Sequence, residues 1–246
     1  MTMPANLQKV LVEQEGVAAD EPADPYVYGW REMPRITPEG ELRWERLPLT
    51  LADILHPQVG DFRVHTDDHQ RACVYLYDVL RAWLAKDPHA VVLHDTRVSW
   101  GVDGPEPHGP DIAVIFNVRE RRNWATFDTA AEGAKPALII EVTSPKTRSV
   151  DLADKVVEYA QAGVPYYAIV DSYQFQGRMV WRLVGYRLVD EGYEIIAPDE
   201  HGRLWLEPVR LWLGLWGSGV ALYDEQGHRQ EDYVTVFTRA EIAELR

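Results

Sequence analysis

Two carboxylates sit where apolar runs begin and end. Asp111 follows Gly109-Pro110 and opens DIAVIFNV, and Glu141 lies near the end of ALIIEV. A carboxylate inside such a run is costly to bury unless it is paired or metal-bound. Two of them at the ends of segments expected to be neighbours suggest one shared cation. Mg²⁺ or Mn²⁺ suits the set, because a hard divalent ion takes one or two protein carboxylates and fills its remaining positions with water and substrate phosphate. The chemistry expected is phosphodiester hydrolysis, in which the metal polarises a phosphoryl oxygen and acidifies the attacking water.

A lysine completes the set. In the helical run from Asp151 to Ala162, Leu152, Val156 and Tyr159 form an apolar stripe. Lys155 borders that stripe, three residues after Leu152 and four before Tyr159, while Asp154 and Glu158 point more toward solvent. The lysine can snorkel outward or reach Glu141, where its charge would orient the water or offset charge in the transition state. Plainer readings stand beside these. Asp111 can satisfy the turn after Gly109-Pro110, and Glu141 can be ion-paired to Lys155 with no metal. Ser144-Pro145 reads as a turn, Thr147 and Asp151 as loop and N-cap residues, and Asp171 as a cap on a strand-to-loop turn.

The elements that must position these groups follow from periodicity. His65 to Lys86 has apolar residues at helical spacing, capped by Asp67 or Asp68 and ended by Asp87-Pro88. Residues 90–94, 111–118 and 137–142 read as strands. The helix 151–162 stops at Gly163, and 166–170 is a strand apolar on both faces. Residues 180–187, 193–197 and 204–206 suggest a meander, 220–223 a further strand, and the chain ends in a helix from about Arg239. LPLTLADILHP holds a short helix with Thr50 as N-cap. The layout is α/β or α+β, with one central mixed sheet flanked by helices. The first 46 residues, interrupted by five prolines, read as an irregular arm. Residues 47–246 form the domain, with a core at 65–172 and a β-rich extension at 178–225.

The chain has 246 residues, 46% of them apolar, enough to bury a core. Its formal charge of −14 argues against a strongly basic nucleic-acid surface, though not against a local basic patch. The single cysteine, Cys73, excludes an internal disulfide or a cysteine zinc cluster and reads as a buried thiol. The tryptophans read as core. Neither a leader nor a membrane span is visible, so a cytoplasmic protein is expected.

The spaced residues Pro110-Asp111, Glu141-Val142, Ser144-Pro145, Thr147, Asp151, Lys155, Tyr159, Gly163-Val164 and Val170-Asp171 resemble the Uma2 (DUF820) family. That family is similar to the PD-(D/E)XK restriction-endonuclease superfamily. The resemblance extends to HPQVGDF and His69 and spans roughly residues 47–225. It implies a restriction-endonuclease-like fold and a metal-dependent DNA endonuclease, with Asp111 and Glu141 as metal ligands and Lys155 as the catalytic lysine. That lysine usually stands two residues after the glutamate, where this chain has Thr143, so its role would have moved into the following helix. Lys146 is a rival, in the exposed SPKT turn. His69 would approach the metal where such nucleases often use an acid. DNA is the implied substrate, and a homodimer would bring two sites to a duplex. The alternative is a non-catalytic nucleic-acid- or protein-binding module that kept the fold, for which Thr143 and the acidic charge speak.

Overall fold

The computed structural model describes residues 24–244 except 102, 177 and 218; the start of the expected arm, residues 1–23, lies outside the described residues. The first described strands, β1 (Gly29–Ile36) and β2 (Leu42–Pro48), pair as a hairpin from Trp30↔Pro48 to Ile36↔Leu42. Residues 29–46 are therefore not irregular. The prolines misled because both are admissible here. The bonds Leu49 N–H to Gly29 O and Thr37 N–H to Glu41 O turn odd positions into the β1–β2 ladder. Pro34 and Pro48 fall on the outward positions, where a missing N–H costs nothing.

Helix α1 (Leu51–Leu55) is capped by Thr50, which exchanges hydrogen bonds with Asp53. The short β3 (Phe62–Arg63) lies against Gly29 and Trp30. Helix α2 (Asp67–Trp83) takes Thr66 as its cap rather than Asp67 or Asp68. Those two occupy the first turn, where their charge favours the helix dipole.

Six strands form the central sheet. They run β4 (Val91–His94), β6 (Ile112–Ile115), β8 (Pro136–Val142), β9 (Tyr166–Phe175), β10 (Arg178–Val189) and β11 (Gly192–Ile195), in that spatial order. Strands β8 and β9 are parallel and the other neighbours antiparallel, so the sheet is mixed as expected. Between these strands come the parallel pair β5 (Arg97–Ser99) and β7 (Thr126–Asp128), then α3 (Thr129–Glu132). The helix after β8 opens as a π turn over Val150–Asp154 and continues as α4 (Lys155–Gln161). Gly163 follows at φ 70°, a left-handed stop.

A second sheet holds β12 (Leu204–Leu206), β13 (Leu211–Trp216) and β14 (Gly219–Tyr223). The last helix, α5 (Tyr233–Glu244), begins before the expected Arg239.

Period-two alternation on β8 divides the core. Leu138, Ile140 and Val142 join Cys73, Leu76 and Leu80 of α2, which is enclosed on its far side by Leu206, Leu211 and Leu222 of the second sheet. Ile139 packs on the opposite face with Leu152, Val156 and Tyr159. Not every tryptophan is core: Trp44 and Trp216 are exposed. Among the described residues no helix is long and apolar enough to cross a membrane.

Candidate metal centre

The antiparallel register of β6 and β8 sets Ile112 opposite Ile140, so the residues just beyond, Asp111 and Glu141, meet at the sheet's end. The Asp111 N–H donates to Glu141 Oε2 at 3.3 Å, and the Val142 N–H donates to Asp111 Oδ2 at 2.8 Å. Asp111 is 7% exposed and Glu141 1%.

Lys155 arrives from the start of α4 on the face that Ile139 shares. Its Nζ lies 2.9 Å from Glu141 Oε1 and 2.8 Å from Asp151 Oδ1. The sequence suggests a helix cap at Asp151, but its side chain is buried and paired. The signal available was its i,i+4 spacing from Lys155. The helical spacing puts Tyr159 in the apolar stripe, and its hydroxyl also donates to Glu141 Oε1 at 2.8 Å. Glu158 is half-buried, not turned to solvent.

On the α2 side, His69 Nε2 lies 3.5 Å from Asp111 Oδ1, and its ring stacks on His65 at 4.4 Å. All four expected residues, Asp111, Glu141, Lys155 and His69, therefore converge. Arg63, His65 and Lys146 line the same cavity, of about 40 Å³. That is room for an ion and about one water, and too little for a nucleotide base.

The electrostatics are lopsided. Three buried carboxylates face one ammonium and one imidazole. Burial alone would raise the Asp111 carboxyl, but His69 and Lys155 hold it well below the usual range. Burial pushes Glu141 up to about 8, with Asp111 and Asp151 adding to the rise against the pull of Lys155. Burial would lower Lys155, but Asp151 and Glu141 outweigh it and raise it, so the amine stays an ammonium and cannot act as a base at neutral pH. Burial also opposes the charge of His69, and Asp111 outweighs that opposition.

This donor set fits a hard divalent cation. It is rich in oxygen and in negative charge. Of the four oxygens of Asp111 and Glu141, Asp111 Oδ1 and Glu141 Oε2 make the longest contacts, 3.5 Å to His69 Nε2 and 3.3 Å to the Asp111 N–H, and His69 Nδ1 is buried without a hydrogen-bond partner. A thiolate-type site does not fit. Cys73 Sγ lies 3.5 Å from His69 Nε2, but burial raises the thiol far above neutrality.

A second cluster, His56, His108 and Glu158, packs behind Tyr159. The Trp100 indole N–H donates to His108 Nδ1 at 2.8 Å. Neutral His108 therefore carries its proton on Nε2, the nitrogen 2.7 Å from Glu158 Oε2. A protonated nitrogen has no lone pair for a metal, so the cluster serves as a polar buttress.

Thr143, where a lysine would be expected, is occupied elsewhere. Its hydroxyl donates to Asp171 Oδ1 at 3.0 Å and accepts from the Ser172 N–H at 2.9 Å. Asp171 does not cap a turn. Strand β9 runs through it, and the buried carboxylate is gripped by Arg148 at 2.7 Å and Arg182 at 2.6 Å. Ser144 bonds Thr147 in the turn that follows.

Residues 60–218 match the Uma2 family, described as "Putative restriction endonuclease". A solved structure described as a "putative nuclease belonging to DUF820" from Anabaena variabilis is similar at 15% identity and a TM-score of 0.39. The match covers 78% of this chain and 85% of that one. No curated protein matches.

Proposed function

Because this chain belongs to the Uma2 family, we propose that it is a Mg²⁺- or Mn²⁺-dependent DNA endonuclease working as a homodimer. The observation that carries the reading is the meeting of two buried carboxylates, Asp111 and Glu141, at the ends of adjacent strands with the Lys155 ammonium 2.9 Å from one of them. Asp111 Oδ1 and Glu141 Oε2 would hold the cation, with His69 at its edge. When bound, a divalent cation supplies charge to the phosphoryl oxygens and acidifies water.

The chain's own groups do the rest. Tyr159 and Lys155 both bond Glu141 Oε1, which fixes the carboxylate and leaves Oε2 toward the cavity. Asp151 holds Lys155 from its other side. The ammonium, kept protonated, offsets negative charge that develops on the phosphate. The cavity is too small for a base, so the DNA backbone would lie across its mouth, with the exposed Lys146 among the lining residues. Water adds to phosphorus, one P–O bond breaks, and the products are a phosphate monoester and a sugar hydroxyl.

Cleavage of plasmid DNA by the full chain with Mg²⁺ or Mn²⁺ tests this reading. The wild type should nick or cut, while Asp111→Ala and Glu141→Ala should lose activity by several orders of magnitude. Variants that cut as fast as the wild type would remove the site assignment. A second reading has one specific observation behind it: Thr143, two residues after Glu141, stands where the family's lysine would be and is committed to Asp171. A wild type that neither cuts DNA nor responds to Mn²⁺ would favour a binding module on a nuclease scaffold.

A further inference from the structure

The hairpin β1–β2 is unlike the rest of the fold. All seven residues of β2 are exposed, and among the described residues β2 pairs with β1 alone, at the edge of its small sheet. Trp44, Ile36 and Leu42 are 64%, 74% and 63% exposed. They share one face, since Ile36 pairs with Leu42, and Trp44 lies two residues along β2 from Leu42. A long exposed edge bearing large apolar groups invites pairing with another chain.

The identity of that chain follows from the strand itself. Odd positions of β2 turn their backbone groups toward β1, as Glu41 and Leu49 show. Leu42, Trp44 and Arg46 therefore present the free N–H and C=O groups outward. A second copy adding antiparallel about a two-fold axis must pair these even positions with each other. Centring the axis on Trp44 does so. Trp44 meets its own counterpart, Leu42 meets Arg46, and Arg43 stands opposite Glu45 twice, once on each side of the axis. Moving the axis by one residue puts Arg43 opposite Arg43, or Glu45 opposite Glu45 and Pro48 in the ladder. Like charges directly opposite are unfavourable and opposite charges favourable.

Within one chain Glu45 already touches Arg35 and Arg43 touches Glu41. Both pairs are widely exposed, and such pairs contribute little and rearrange freely.

We propose that β2 is a self-complementary edge through which two copies of this chain join, with the two Trp44 side chains packed at the dyad. The proposal gives a surface and a register to the homodimer proposed above. It does not depend on the nuclease chemistry, because its readout is association rather than cleavage.

The test exploits the symmetry of the charge pairs. In Arg43→Glu, both facing positions are acidic; in Glu45→Arg, both are basic. Each variant alone should dimerise at least about tenfold more weakly than wild type, by the worth of two cross-strand charge pairs. Mixing the two variants restores an acidic partner opposite a basic one on both sides. Their equimolar mixture should form a one-to-one dimer near wild-type strength, read by sedimentation velocity or light scattering. The mixture carries its own control for folding. A wild-type chain that stays monomeric at tens of micromolar overturns the proposal, as does a mixture no more dimeric than its components. A wild type that dimerises while both variants match it would keep the homodimer and remove β2 as its interface.

Discussion

Lys155 Nζ and Glu141 Oε1 lie 2.9 Å apart, joining the start of a helix to the end of a central strand in a place almost closed to solvent. The same ammonium touches Asp151 at 2.8 Å, so one positive charge serves two buried carboxyl groups, with Asp111 close behind. Removing one partner of a buried ion pair leaves an uncompensated charge, at a cost of roughly 3–5 kcal/mol.

Lys155→Ala should therefore lower the unfolding free energy by about that amount, measured by urea denaturation at pH 7 without metal. Added Mn²⁺ should recover part of the loss, because it supplies the positive charge that the lysine gave. A loss near zero would mean that the carboxylates do not need the ammonium.

Tyr159→Phe isolates a single contact. The ring stays within its aromatic surroundings, packed near Trp100, His108 and Tyr167, and only the bond to Glu141 Oε1 is lost. Stability should fall by about 1–2 kcal/mol, the usual worth of a buried bond to a carboxyl group. Because Glu141 then rotates more freely, Mn²⁺ affinity should also fall severalfold. A variant with wild-type metal affinity would show that Tyr159 packs without positioning.

The sequence made some of this legible. Asp111, Glu141 and Lys155 stood out because each is a charge placed against an apolar pattern, and the central strands were visible as short β-branched runs. The fit of α2 was readable from its spacing, but its cap was not, since Thr66, Asp67 and Asp68 are all competent caps. The role of Asp151 was hidden by the π turn at Val150–Asp154, which a straight helical wheel does not anticipate. The hairpin was hidden by Pro34 and Pro48, whose positions on the outward side of the ladder depend on a register that composition does not reveal.

Metal binding should separate stability from affinity at Glu141. The carboxyl is pushed up to about 8 by burial and its acidic neighbours. Between the unfolded value near 4.5 and about 8, the unfolded chain releases a proton that the folded chain keeps, so ionisation there opposes folding as pH rises. Glu141→Gln removes that opposition. Without metal the variant should be at least as stable as wild type at pH 7. With Mn²⁺ the wild type should gain about 2.7 kcal/mol at a hundredfold excess over its Kd, visible as a rise in Tm, and the variant should gain little. Equal shifts in both proteins would place the cation elsewhere.

Acid should weaken the fold through His108. The imidazole is wholly buried, and burial lowers it to about 3, with Lys155 and His56 adding to the drop. In the unfolded chain it titrates near 6.5. Below that value the unfolded state takes up a proton that the folded state refuses, so stability falls as pH falls, by about 1.4 kcal/mol per pH unit until about pH 3. Above pH 6.5 the histidine is neutral in both states and contributes no slope. His69 has the opposite sign, since its raised value makes its contribution fade as pH rises past 6.5, a window in which His108 contributes no slope. The difference between wild type and His108→Gln isolates the buried ring. From pH 6.5 to 5 the wild type should lose about 2 kcal/mol more than the variant, read from urea midpoints at constant ionic strength. Parallel profiles would mean that His108 takes up its proton without leaving the fold, with Glu158 at 2.7 Å as the group that receives it.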